Sequence, residues 1–204
     1  MLPFRIPNFC CIKTWLLPVL FTVLQMQEVK AQESNLANIW NSGNKYLFKT
    51  NIKVYGNEFS GLFVIKKTDA EHYRTIFLNE VGMKFFDFEI GAEDDSVLHV
   101  FEPLNKTSFI KLLINDYRTL LFLPKTEDCR RLKTKKDKRI CKSGTYYYQF
   151  NTTDGRLNEI YQRIFFIKPF SIKMTDYQEY FPQKIRLSHK FIKFEQNLYL
   201  LENP

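Results

Sequence analysis

Lys45-Tyr46-Leu47-Phe48-Lys49-Thr50-Asn51-Ile52-Lys53-Val54 is the stretch whose reading decides the fold class of this 204-residue chain. Tyr46, Phe48, Thr50, Ile52 and Val54 alternate with Lys45, Leu47, Lys49, Asn51 and Lys53. Successive side chains of a strand point to opposite faces, so a period of two predicts a strand with one apolar and one lysine-bearing face. Outward from it, Gly56-Asn57 is a turn signal and Phe59 to Thr68 reads as a second strand. There Gly61, Phe63 and Ile65 share a face, while Leu62 and Val64 make the other face apolar too, which predicts cover on both sides. His72 to Glu80 and Met83 to Ile90, separated by Val81-Gly82, read as a hairpin. Phe86, Phe88 and Ile90 line one face of its second strand, and Asp87 and Glu89 turn to the polar side. The polar turn Gly91-Ala92-Glu93-Asp94-Asp95 leads into Val97–Phe101. Five short antiparallel strands at roughly ten-residue spacing have the rhythm of a sandwich or an open barrel.

Composition agrees. The chain holds 20 Phe and 11 Tyr, and Ala occurs only at positions 31, 37, 70 and 92. Aromatic residues suit a pleated, half-buried surface, and scarce Ala withdraws the best helix former. Hydrophobic residues make up 45% of the chain, enough for a core and too many for a disordered segment.

The strand rhythm then breaks. Phe109, Leu112, Leu113, Tyr117, Leu120 and Leu121 follow the helical period and predict one amphipathic helix, with Asn105 as N-cap and Pro124 ending the segment. A single apolar stripe between two blocks of strands has to lie on the sheet. Strands resume at Thr145–Phe150, Leu157–Ile167, Phe170–Tyr177 and Lys184–Leu201, with Asp154-Gly155 as a hairpin turn. Ser34 to Gly43 reads as a short helix ahead of the first strand.

Residues 1–31 read as a secretory signal peptide. Arg5 and Lys13 precede the apolar run Trp15–Leu24, which is too short to span about 30 Å of hydrocarbon as a helix, and Val29-Lys30-Ala31 offers a cleavage site. An uncleaved membrane anchor is the other reading. Cys10 and Cys11 precede the apolar run, so neither forms a lipobox. The remainder, 32–204, is one domain, with no internal repeat or low-complexity linker.

The chain carries 30 Lys+Arg and 22 Asp+Glu, a net +8. Residues 1–31 hold Arg5, Lys13 and Lys30 against Glu28, which leaves +6 for the remainder. Arg130, Arg131, Lys133, Lys135, Lys136, Lys138, Arg139 and Lys142 stand against Asp137 alone, so this one stretch holds a net +7. A nucleic-acid-binding domain spreads its cations along a whole face, and nucleic acid is therefore excluded as partner. The basic stretch reads as a solvated hairpin, or as one that docks an anionic membrane or partner. Cys129 and Cys141 bracket it; in an oxidising compartment two facing cysteines form a disulfide, and free thiols are the alternative.

Little here supports catalysis. His72, His99 and His189 have no second His, Cys or carboxylate at ligand spacing, and Asp87 with Glu89 fits the polar side of a sheet. Glu93-Asp94-Asp95 reads as a loop of solvated carboxylates. Neither G-x-S-x-G nor a Gly-rich phosphate loop occurs, so the expectation is a non-enzymatic protein without metal or cofactor. Asn105-Lys106-Thr107 and Asn151-Thr152-Thr153 match the N-glycosylation pattern, which matters only on a eukaryotic secretory route.

Three segments in this order carry a resemblance: Gly61-Leu62-Phe63-Val64-Ile65, the hairpin Ile76–Phe88, and Phe181-Pro182-Gln183-Lys184-Ile185-Arg186-Leu187 after the helix. The chain resembles the LolA/LolB superfamily of periplasmic lipoprotein carriers and receptors, in particular LolB-like exported proteins of Bacteroidetes. The resemblance implies a mainly β fold, a single curved antiparallel sheet or half-barrel, with an amphipathic helix as lid. It also implies a concave apolar cleft that takes a lipid or a lipoprotein's acyl chains. Alternation assigns Phe48, Ile52, Phe63, Ile65, Phe77, Phe86 and Phe88 to that cleft, and the helix adds Leu113. The expected protein is a monomer in the periplasm or on the periplasmic face of the outer membrane. The second reading is an exported interaction module whose apolar concavity is simply its core and whose basic stretch docks an anionic partner.

Overall fold

The alternating stretch forms β1 (Lys45–Val54), and Tyr46, Phe48, Thr50, Ile52 and Val54 are all buried while their neighbours are not. The structure, a computed structural model, describes residues 39–40, 43–123, 130–135, 137–179 and 181–202, with the side chains of 130–135 and 202 left aside. The expected signal peptide at 1–31, most of the expected helix at 34–43, Pro124 and Cys129 lie outside the described residues.

The strands β2 (Asn57–Lys67), β3 (His72–Asn79), β4 (Lys84–Gly91) and β5 (Asp95–Val100) follow β1 as an antiparallel meander. After the helix α1 (Thr107–Leu121) come β6 (Arg130–Lys135), β7 (Lys138–Ser143), β8 (Tyr146–Asn151), β9 (Leu157–Gln162), β10 (Phe170–Gln178), β11 (Phe181–His189) and β12 (Phe194–Glu202), a second meander. The two join where β1 pairs with β12, with Thr50 opposite Leu198 and Ile52 opposite Gln196. All twelve strands form one open sheet in the order β5-β4-β3-β2-β1-β12-β11-β10-β9-β8-β7-β6.

Residues directly opposite in an antiparallel pair share a face, so the register defines continuous rows across the sheet. Phe86, Phe77, Phe63 and Phe48 stand side by side from β4 to β1. Ile52, Gln196, Leu187, Ile172, Ile160, Tyr148 and Cys141 form a second row across seven strands, from β1 to β7. Every member of both rows is buried. Register shifts at Leu47/Phe48, Phe77/Leu78 and Asp87/Phe88 bend the strands, and this curls the sheet towards the buried side.

The expected fold class therefore holds: mainly β, one curved antiparallel sheet that stays open, with one helix against it. Four local expectations change. The second strand is not covered on both sides, because Leu62 is 38% exposed and Val64 only half-buried. Lys184–Leu201 is two strands, β11 and β12, joined by the turn at Lys190–Lys193, and β9 stops at Gln162 instead of reaching Ile167. The basic stretch does form the expected hairpin, as β6 and β7 of the sheet. Asn105 does not cap α1: it closes a 3-10 turn at Glu102–Leu104, and Lys106 occupies the cap position without a side-chain hydrogen bond.

Candidate functional site on the concave face

α1 lies with Phe109, Leu113, Tyr117, Leu120 and Leu121 buried, as its spacing predicts. Leu112 is only partly buried, and Ile114, Asp116 and Thr119 are buried as well, so the covered side is wider than the apolar stripe. The Tyr117 ring sits 5.1 Å from Phe63 and 5.9 Å from Phe86, which places the helix over the phenylalanine row. All eight expected cleft residues lie here. Phe48, Phe63, Ile65, Phe77, Phe86, Phe88 and Leu113 are at most 2% exposed and Ile52 is 4% exposed. Alternation puts the strand residues among them on the buried face, Phe63 and Ile65 included. In the present structure these side chains pack as core.

Polar tethers hold α1 down, none of them anticipated from the sequence. Tyr117 donates its hydroxyl proton to Gln196 Oε1 at 2.9 Å, and Gln196 Nε2 in turn donates to Thr50 Oγ1 at 3.4 Å, in the middle of the sheet. His189 Nε2 lies 2.7 Å from Asp116 Oδ2, both side chains almost fully buried. Arg118 donates to the Gly91 carbonyl at 3.0 Å and pairs with Asp95 at 2.5 Å. Trp40 donates from Nε1 to the Leu120 carbonyl at 2.8 Å and packs edge-on against Tyr46 and Phe181. Buried polar groups need partners, so a single Asp in an apolar stripe, and a Gln between buried Phe194 and Leu198, are the marks from which two of these tethers could have been inferred.

The histidines are not isolated, as their spacing had suggested. His72 lies between Asp94 and Asp69, at 3.2 and 3.0 Å, and these two carboxylates push its pKa up to about 9. Asp87 is fully buried, not solvated: Arg74 binds it through two hydrogen bonds and Lys84 through a third at 2.7 Å. Burial alone would raise its carboxyl, but the two cations outweigh this and hold it below the ordinary range. Asp94 and Asp95 of the acidic loop serve His72 and Arg118. No group of three or more His, Cys, Asp or Glu placed to hold a metal ion occurs among the described residues.

Burial dominates at Asp116 and raises its pKa from 3.8 to about 6, despite the hydrogen bond from His189. The folded state therefore binds this proton more readily than the unfolded chain. The resulting stabilisation is complete below pH 3.8 and is lost as pH rises through about 6. Asp116→Asn, which cannot ionise, is expected to gain on the wild type by about 3 kcal/mol between those limits, a shift of about two pKa units at ~1.4 kcal/mol each. Urea midpoints of both proteins across this range check it, and parallel curves would refute it.

The basic hairpin lies at the far edge of the sheet. Lys135 and Lys138 face each other across its turn, and Arg130 faces Lys142. Arg139 stacks on Phe150 at 5.3 Å and Lys142 on Tyr147 at 5.5 Å, so both cations lean on β8. Lys138 is exposed. Lys136 and the side chains of Arg130, Arg131, Lys133 and Lys135 lie outside the described residues, as does the Cys129 half of the expected disulfide.

No protein-family model matches the chain, and no curated protein matches it. Solved structures do. A LolA superfamily protein from Nitrosomonas europaea superposes with a TM-score of 0.52 at 8% identity, over 85% of this chain and 91% of the other. A DUF1329 family protein from Desulfovibrio piger gives the same TM-score and identity over 84% and 89%. The fold is LolA-like. At this identity the likeness carries the architecture alone, and the LolA-like frame here is a curved sheet whose concave side is closed by α1. Among the described residues no helix is long and apolar enough to cross a membrane.

Proposed function

We propose that this protein is a non-enzymatic, exported binder of a lipid or of a lipoprotein's acyl chains, working in the periplasm or at the periplasmic face of the outer membrane. The observation that carries this reading is the concave face itself. A phenylalanine row over four strands and a second row over seven, apolar but for Gln196, line a sheet that is open at both edges, under a single helix. An acyl chain offers the same chemistry as the stripe of α1, and the two can exchange on that face. The LolA-like fold supports the reading. The tethers at Tyr117, Asp116, Arg118 and Trp40 keep the helix seated when no chain is bound. Cleavage after Ala31 and a Cys129–Cys141 disulfide belong to the same proposal, because both follow from export.

The test uses the tryptophans. Trp15 and Trp40 are the two in the chain, and Trp40 sits at one end of α1 beside Phe48, 6.4 Å between ring centres. In a Trp15→Phe background, a dibrominated fatty acid is expected to quench Trp40 fluorescence in a saturable way, and native mass spectrometry of protein from its own cell envelope should show bound lipid. Absence of both would leave the interaction-module reading, in which the concave face is core only.

A further inference from the structure

The alternation of strand directions sends the turns β1–β2, β3–β4, β7–β8, β9–β10 and β11–β12 to one end of the sheet and the turns β2–β3, β4–β5, β6–β7, β8–β9 and β10–β11 to the other. The first end is greasy. Phe165 and Phe166 form the tip of the β9–β10 turn and are 87% and 93% exposed. Ile164 and Ile167 close that turn with two reciprocal backbone hydrogen bonds of 3.0 Å, so the rings are held outward on a fixed stalk. Phe191 on the β11–β12 turn is 71% exposed, Tyr55 on β1–β2 50%, and Val81 on β3–β4 85%. In the order of the sheet these are four consecutive hairpins.

Folding does not explain these side chains. Large apolar groups at hairpin tips contribute no burial, and contiguous exposed apolar surface marks an interaction site. Phe165 also has φ 51°, a left-handed conformation that bulky residues avoid and that Asn or Gly would adopt without strain.

Charge indicates what covers them. The turns of the greasy end carry Arg163, Lys168, Lys190 and Lys193 against the single carboxylate Glu80; Lys168 is shared with Glu159. Four turns of the opposite end carry Asp69, Glu71, Glu93, Asp94, Asp154 and Glu179 against Arg156, and the fifth, β6–β7, is flanked by Lys135 and Lys138. Aromatic rings flanked by cations suit the headgroup boundary of a bilayer with anionic lipids. We propose that the protein docks end-on to a lipid membrane, with Phe165 and Phe166 inserted at the headgroup boundary and Phe191 beside them. This places the membrane at the end opposite the turn of the basic β6–β7 hairpin, and it does not depend on whether the concave face holds a chain.

The experiment is co-flotation with vesicles of phosphatidylcholine and phosphatidylglycerol, using the full chain. Phe165→Gly/Phe166→Asn puts glycine at the one position of the turn with positive φ, so its thermal stability should equal or exceed that of the wild type. Its vesicle affinity is expected to fall at least about tenfold, since each ring loses the transfer of a large apolar side chain. Lys135→Gln/Lys138→Gln, at the opposite end, is expected to float like the wild type. Phe165→Trp should shift its emission to the blue on vesicles and be quenched by brominated lipid. Three results would overturn the proposal: no flotation of the wild type, equal flotation of the Phe double variant, or loss of flotation only in the lysine variant. A wild type that ignores vesicles but self-associates through the same turn would identify a second copy as the occupant. Quenching of Trp40 by free fatty acid should survive the Phe double variant, which separates this failure from failure of acyl binding.

Discussion

Phe63→Glu is expected to yield no cooperatively folded protein. Phe63 is fully buried between Phe86, 6.2 Å away, and Tyr117, and it stands between Phe48 and Phe77 in the row across the sheet. Losing the ring costs about 3–5 kcal/mol, and burying an unpaired carboxylate adds several more. Domains are stable by only about 5–15 kcal/mol, so the sum approaches the whole. Phe63→Leu, which keeps most of the volume, should stay folded with a loss of about 1–2 kcal/mol. Near-UV circular dichroism and thermal melting separate the outcomes. A Glu variant melting near the wild type would mean that α1 does not close over this row, and the concave face would then stand open without a ligand.

Gly61→Ala comes next in size. Gly61 lies in β2 opposite Asn79, and a Cβ there would stand 1.9 Å from the Leu78 carbonyl oxygen and 2.7 Å from the Asn79 Cα. Both obstacles are backbone, so no side chain can turn aside and the β2–β3 pairing itself has to shift. A loss of about 3 kcal/mol or more is expected, or a fall in Tm of about 6–12 °C for a chain of this size. Gly82→Ala is the comparison. Gly82 has φ +81° but open space around a Cβ, so only the conformational cost of about 1–2 kcal/mol applies. Equal effects at the two glycines would show that the strands can part cheaply at Gly61.

The first meander was largely legible because each of its strands alternates, and alternation is a local property. Tyr46 through Val54 gives the buried face of β1 outright, and the hairpin at Val81-Gly82 falls where its residues place it. Leu62 shows the limit of the same rule. An apolar residue on the second face of a strand does not bring a second layer with it. Lys184–Leu201 read as one strand because the turn at Lys190–Lys193 contains neither Gly nor Pro; Lys193 adopts φ 50° without them. That α1 is tethered left marks in the sequence, but the partners of those tethers were out of reach for a different reason. Asp116 meets His189, and Tyr117 meets Gln196, across more than seventy residues, and no spacing within a segment encodes such a meeting. Asp87 is similar: its burial depends on Arg74 reaching over from β3. The greasy end was hidden because Phe165 and Phe166 look, in sequence, like the continuation of a strand.

The pairing of β1 with β12 has a consequence for how the chain comes into being. The seam joins Thr50 to Leu198, so it pairs the first and the last strands of the sheet in chain order. Until it forms, each meander is an independent ribbon with an unpaired edge at the place where the finished sheet is most buried. Local hairpins form early, but closing so long a loop is slow. A nascent chain therefore cannot complete the sheet before β12 has emerged.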